Sequence, residues 1–176
     1  AEAAAAMQKG DELRDQRKYA EAAAWYRKAA DAGNEDAQNV MGFLYDQGIG
    51  VKKNVVEAGK WYRKAAEQGH EKAQNNLGLM YVKGTGVPQN DTEAAHWFRK
   101  SAEAGYDQGQ LNYAFAWFKG KGGIKADKVE AYKWLYLARQ QGNKQAADIL
   151  AKITKTMNPT EIADGQKRAK TWDAAH

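Results

Sequence analysis

Apolar and small residues return along this chain at helical intervals. Ala22, Trp25 and Ala29 stand at i, i+3 and i+7, one face of a helix, and Ala58, Trp61 and Ala65 repeat the spacing. Ala37, Val40, Met41, Leu44 and Tyr45 mark a second face of the same period. Gly33 and Gly69 fall where a helix would end in a left-handed turn, which glycine tolerates best. Asn54, Asp91 and Asp127 precede helical stretches and are placed to cap them. The pattern predicts antiparallel helix pairs, joined by alternately short and longer loops.

The pairs repeat. Trp25, Trp61, Trp97 and Trp134 are spaced 36, 36 and 37 residues apart. The segments Trp25–Ala30, Trp61–Ala66 and Trp97–Ala102 read WYRKAA, WYRKAA and WFRKSA, with a looser fourth copy in Trp134–Ala138. In phase with them run Gly33, Gly69, Gly105 and Gly142, then Ala37, Ala73, Gly109 and Ala146. Gly42, Gly78 and Ala114 follow, and then Tyr45, Tyr81 and Trp117. Gly48-Ile49-Gly50, Gly84-Thr85-Gly86 and Gly120-Lys121-Gly122 close successive segments. A fixed period of this length is the mark of a repeat array, whose units bury their apolar faces only by stacking.

These residues resemble the Sel-one-like repeat family, a branch of the tetratricopeptide superfamily. Ala73 to Val87 matches the first half of the family pattern, and Ala58 to Gly69 and Ala94 to Gly105 match the second. The resemblance covers roughly residues 20 to 146. It departs in the fourth unit, where Gly109 replaces Ala, Ala114 replaces Gly, Trp117 replaces Tyr, and one residue is added between Asp127 and Trp134. The fold implied is all-α, an α/α solenoid wound as a right-handed superhelix of about five antiparallel helix pairs. Residues 2–33 form an opening hairpin of tetratricopeptide type with a seam of Met7, Leu13 and Tyr19. Residues 35–69, 71–105 and 107–142 form the Sel-one-like units, and 144–173 a C-terminal capping hairpin. Asn158-Pro159-Thr160-Glu161 opens the last helix, lined on one side by Ile162, Ala163, Ala169 and Trp172.

Composition takes on meaning within this frame. Leu, Ile, Val and Phe supply only 24 of 176 residues, few enough to raise the question of disorder. The 33 alanines and 17 glycines instead become contact points between close helices, with 6 Trp and 9 Tyr filling the wider gaps. No run approaches the length of a transmembrane helix. The absence of Cys excludes disulfides, iron–sulfur clusters and Cys-based zinc sites. Ala1 to Ala6 holds no apolar signal core, so an exported chain would already be processed; a trimmed chain explains the Ala-rich start equally well.

Candidate chemistry is sparse. The single serine, Ser101, stands at the small core position of the third unit, where it replaces Ala. His70, His96 and His176 form no metal-like pair, and His70 and His96 are expected at the surface or rim. The Gly-rich segments end helices and lack the Gly-Lys-Ser/Thr of a phosphate loop. No catalytic residue, metal site or cofactor is expected. The net charge of +5 lies wholly in the C-terminal part, +3 in residues 107–143 and +2 in 144–176. Lys119, Lys121, Lys125, Lys128 and Lys133 cluster around one loop and helix start. They are either ordinary solvated lysines or a weak docking patch for an acidic partner or membrane surface. Nucleic-acid binding would want a denser stripe, richer in Arg.

The resemblance implies that the first helix of each pair lines a concave groove. Carried onto this chain, that face holds Asn39, Phe43 and Gln47, then Asn75, Leu79 and Val82, then Leu111, Phe115 and Phe118. Asn39 and Asn75 occupy equivalent positions, and an amide can both donate to and accept from a peptide backbone. The aromatics could equally pack against the next repeat. The expected function is a non-catalytic, monomeric adaptor for a peptide or protein partner, in an exported bacterial setting, periplasmic or secreted, with the cytoplasm as the alternative. A periplasmic immunity or inhibitor protein against a secreted toxin or enzyme is one concrete variant. A hydrolase acting on cell-wall-like substrates is the other class, and a self-assembling scaffold the third.

Overall fold

The computed structural model describes residues 1–176 and contains ten helices. They are α1 (Glu2–Asp15), α2 (Tyr19–Asp31), α3 (Glu35–Gln47), α4 (Val55–Glu67), α5 (Glu71–Lys83), α6 (Asp91–Glu103), α7 (Asp107–Lys119), α8 (Lys128–Gln140), α9 (Lys144–Thr154) and α10 (Pro159–Ala175). They fall into two compact units, Ala1–Gln89 with α1 to α5 and Asn90–His176 with α6 to α10. The all-α array of helix pairs that the spacing predicts is the fold observed.

In the first unit α1 pairs with α2 and α3 with α4, while α2 also packs on α3 and α4 on α5. The core is made of Ala6, Leu13, Ala22, Ala23, Tyr26, Ala29, Ala30, Ala37, Met41, Leu44 and Trp61. Small residues let the helices close on large rings. A β-carbon added to Gly10 would lie 2.7 Å from the Tyr26 ring, and Gly42 meets Tyr62 in the same way. Two expected core aromatics stand out in solvent: Trp25 is 36% exposed and Tyr19 42%. Trp61, Trp97 and Trp134, by contrast, are buried.

The Gly-x-Gly segments do more than end helices. Gly48, Gly84 and Gly120 are left-handed C-caps of α3, α5 and α7. The second glycine of each segment docks onto the start of an earlier second helix. Gly50 (φ +71°) lies on the Tyr19 carbonyl, Gly86 (φ +74°) on that of Val55, and Gly122 (φ +70°) on that of Asp91. Both the positive φ and the lack of room for a β-carbon require glycine.

In the second unit α7 packs on α6 and α8, while α9 and α10 both pack on α8. The expected closing hairpin is therefore corrected: α10 does not pair with α9. The reason lies in α8. Where α2, α4 and α6 carry Ala23, Gly59 and Ala95, α8 carries Tyr132. No Gly-x-Gly loop follows to dock there, and Gly165 of α10 rests against the Tyr132 ring instead. Trp172 meets Trp134 edge to face at 5.4 Å, and Arg168 forks Asp164 at 3.1 and 3.3 Å. Gly165 and Ala169 form the buried stripe of α10, and Ala163 is exposed.

Side-chain caps open most helices. Asn34, Asn54, Asn90, Asp127, Asn143 and Asn158 each accept a backbone N–H, the last in a reciprocal capping box with Glu161. The cap of α6 is Asn90; Asp91, expected there, is its first helical residue. His70, expected at the rim, is buried and caps α5: its Nδ1 accepts the Ala73 N–H at 3.2 Å, and its Nε2–H reaches Asp36 at 2.9 Å. Asn143 does the same work in the second unit, accepting from Ala146 and donating to Asp107 at 2.9 Å.

Candidate protein-binding faces

Each unit presents a face formed by first helices, α3 and α5 in one and α7 in the other. Along α3, Phe43 is 48% exposed, Gln47 is exposed and Asn39 is half-buried. On α5, Val82 is 44% exposed and Leu79 half-buried. On α7, Phe118 is 44% exposed and Phe115 half-buried.

Two residues of this set do not face outward. Asn75 and Leu111 are buried, at 5% and 2%. The resemblance places both on the outer side, but the burial of a side chain also depends on the helices packed around it. In the first unit α5 reaches α3 at this level, through a hydrogen bond from Asn76 Nδ2 to Asn39 Oδ1 at 3.3 Å. Asn76, one residue on from Asn75, makes this contact.

Between α3, α4 and α5 lies a small recess lined by Asp46, Tyr62, Asn76, Leu79, Met80, Lys83 and Thr85. The Tyr62 ring is buried on Gly42. Burial first, and the Asp46 charge second, hold its hydroxyl protonated well above the usual tyrosine range. Asp46, Tyr62, Asn76 and Lys83 escaped the sequence reading, because Asp46 has apolar counterparts in the later units, Val82 and Phe118, and Tyr62 reads as core. Its neighbour in register, Tyr26, gave no warning: that hydroxyl donates to Asp11 at 2.6 Å.

A second recurrent feature was equally missed. Gln38, Gln74 and Gln110, spaced 36 apart, are buried, and each donates Nε2 to a carbonyl at the end of the preceding helix (Ala30, Ala66, Ala102). Gln68 then donates to Gly33 O and Gln38 Oε1, and Gln141 to Gly105 O and Gln110 Oε1. The shared phase was visible; the polar residue type disguised it.

Lys119, Lys121, Lys125 and Lys128 are exposed, and none of the five lysines pairs with a carboxylate. Lys119 lies over Phe115 at 6.0 Å, and Lys128 bonds Thr156 Oγ1 at 3.4 Å. Lys133 lies over Trp134 at 4.7 Å and borders Glu130, Asp164 and Arg168. Ser101 is fully buried, and the room its hydroxyl needs comes from Gly109, whose β-carbon would run into it. No helix is long and apolar enough to cross a membrane.

Stacked helix pairs tied at a constant interval, exposing apolar side chains from their first helices, define a helical-repeat protein, an α/α solenoid. The Sel1 repeat model matches residues 1–34, 35–70, 71–106 and 107–143, opening hairpin included, and the chain belongs to the Sel1 repeat family. A Sel1 repeat protein from Oxalobacter formigenes is 33% identical, with a TM-score of 0.80 over 96% of this chain and 73% of its own. The Escherichia coli protein c5321, a protective antigen of uropathogenic strains displaying an SLR fold, is 32% identical with a TM-score of 0.84. That match covers 96% of this chain, which spans 38% of the antigen's length. Helicobacter pylori cysteine rich protein B shares the fold at 22% identity and a TM-score of 0.58, over 71% of this chain and 94% of its own. No curated protein matches the chain. Sel1 repeats are generally protein–protein interaction scaffolds.

Proposed function

We propose that this chain is a non-catalytic adaptor that holds a peptide or protein partner on the face of its first helices, chiefly on α3 and α5. The observation that carries the reading is the pair of large apolar side chains left in solvent there, Phe43 and Val82, beside a polar recess. Apolar anchors next to oriented polar groups are what binding hot spots are made of. Phe115 and Phe118 offer a similar anchor in the second unit. The buried position of Ser101 supports the non-catalytic reading, since the one serine has no access to a substrate.

Photo-crosslinking tests the face. A benzoylphenylalanine placed at Phe43 or Val82 should yield adducts in cells of the native host, and one at Val56, exposed on α4, should not. Equal yields from all three positions would overturn the assignment. An exported bacterial setting is the second part of the proposal, supported by the likeness to a protective antigen. Fractionation of the host should find the protein outside the cytoplasm.

A further inference from the structure

One end of the second unit carries an excess of cations. α7 and α9 finish there, and α8 and α10 begin there. Lys128 Nζ, at the start of α8, reaches Thr156 Oγ1 in the α9–α10 turn at 3.4 Å. Lys119, Lys121, Lys125 and Lys128 thus share this end with Lys152 and Lys155, at the close of α9. All six are exposed, and none pairs with a carboxylate.

The repeat sets this end apart. Where the loop after α7 has Lys119, Lys121 and Lys128, the loop after α3 has Gln47, Ile49 and Val55, and the loop after α5 has Lys83, Thr85 and Asp91. Lys128 is the first residue of α8, the end at which a helix dipole disfavours a cation. Helix stability therefore does not account for it. The loop is also one residue longer than its counterparts and makes a tight turn. Gly122 and Gly123 both have positive φ (70° and 81°), and the Ile124 N–H bonds the Lys121 carbonyl at 3.3 Å. Half-buried Ile124 stands between Lys121 and Lys125 in this turn.

Four carboxylates belong to the same end. Asp127 and Glu161 serve as helix caps: Asp127 Oδ1 accepts the N–H groups of Val129 and Glu130 at 2.9 and 3.1 Å, and Glu161 Oε1 accepts that of Asn158 at 2.9 Å. Asp91 and Glu93 lie in the first turn of α6, onto which Gly122 docks. Further in, Glu130 and Asp164 are more than balanced by Lys133, Lys167 and Arg168, which line one recess with them. Six cations against four anions leave the end positive, and the ammoniums stand on long stems that reach beyond the short carboxylates. No guanidinium is among the six. A planar fork suits a carboxylate in fixed geometry, whereas hydrated ammoniums on flexible stems suit a field of phosphates. A cluster of this size beside an apolar residue is the pattern of anionic-lipid binding.

We propose that this end of the second unit lies on an anionic lipid surface, its six lysines among the phosphates and Ile124 at the headgroup boundary. The surface is separate from the partner face on α3 and α5.

Vesicle flotation of the full chain tests the proposal. The chain should float with vesicles of equal parts phosphatidylglycerol and phosphatidylcholine, and not with phosphatidylcholine alone. Raising salt from about 50 to about 500 mM should release it. The triple variant Lys121→Gln, Lys125→Gln, Lys128→Gln should bind at least about tenfold more weakly. A second triple, Lys18→Gln, Lys52→Gln, Lys53→Gln, removes the same charge from exposed positions of the first unit. It should bind within about twofold of the wild type. Thermal melts show that both variants fold. Equal losses in the two triples would reduce the effect to net charge and overturn the proposal, as would equal binding to the neutral vesicles. No binding to either vesicle also overturns it. Retention on immobilised poly-L-glutamate, lost in the first triple, would then give the same end to an acidic polypeptide.

Discussion

Single positions in this protein make sense only as pairs. Ser101 stands where the other units have Ala29, Ala65 and Ala138, and Gly109 where they have Ala37, Ala73 and Ala146. The added hydroxyl of one is matched by the missing methyl of the other. Gly109→Ala alone should therefore overpack the core and cost about 1–3 kcal/mol. Adding Ser101→Ala should restore most of that, because it recreates the Ala–Ala contact of the other units. Urea unfolding of the two single variants and the double measures the coupling; additive losses would refute the pairing. His70 is a similar case, with Asn143 as its internal counterpart. His70→Ala removes an N-cap and a link to Asp36 and should cost about 1–2 kcal/mol. His70→Asn keeps both hydrogen-bonding roles and should cost much less. The sequence placed His70 at the rim because it follows a helix-ending glycine. The bond to Asp36, 34 residues away, is what buries it.

At the scale of elements, the helices and their order were legible in full. Short-range spacing sets the apolar faces, and Gly33, Gly69, Gly105 and Gly142 mark the turns with positive φ. The glutamine ties between elements were not legible. Gln110 fastens α7 to the end of α6, and Gln141 at the end of α8 completes its hydrogen bonding. Gln141→Ala leaves the buried Gln110 oxygen without that donor and should cost about 1–3 kcal/mol, more than an exposed glutamine would. Hydrogen exchange at the α6–α7 turn should accelerate in the same variant. Unchanged stability would mean that water replaces the lost amide. The fate of α10 also lay beyond pattern reading. Its amphipathic face was plain, but the choice of α8 over α9 depends on Tyr132, a residue that breaks the repeat.

For the molecule as a whole, the packing of α10 on α8 matters most. α10 covers Tyr132 and Trp134 through Gly165 and Trp172. Deleting residues 159–176 should expose both rings, lower the melting temperature and produce association that grows with concentration. Thermal melts and light scattering check this; a monomer of unchanged stability would show that α10 is no cap. The sequence by itself determined the repeat, the helix pairs and the small-against-large core, because these depend on spacing within a helix and on a period of about 36 residues. The exposed apolar residues of the proposed binding face, Phe43, Val82 and Phe118, were equally visible. Tertiary structure decided the rest. Asn75 and Leu111 are buried and Trp25 is exposed for one physical reason. Burial and hydrogen bonding belong to neighbours in space, and in a stacked array those neighbours sit on other helices, which no pattern along a single helix records.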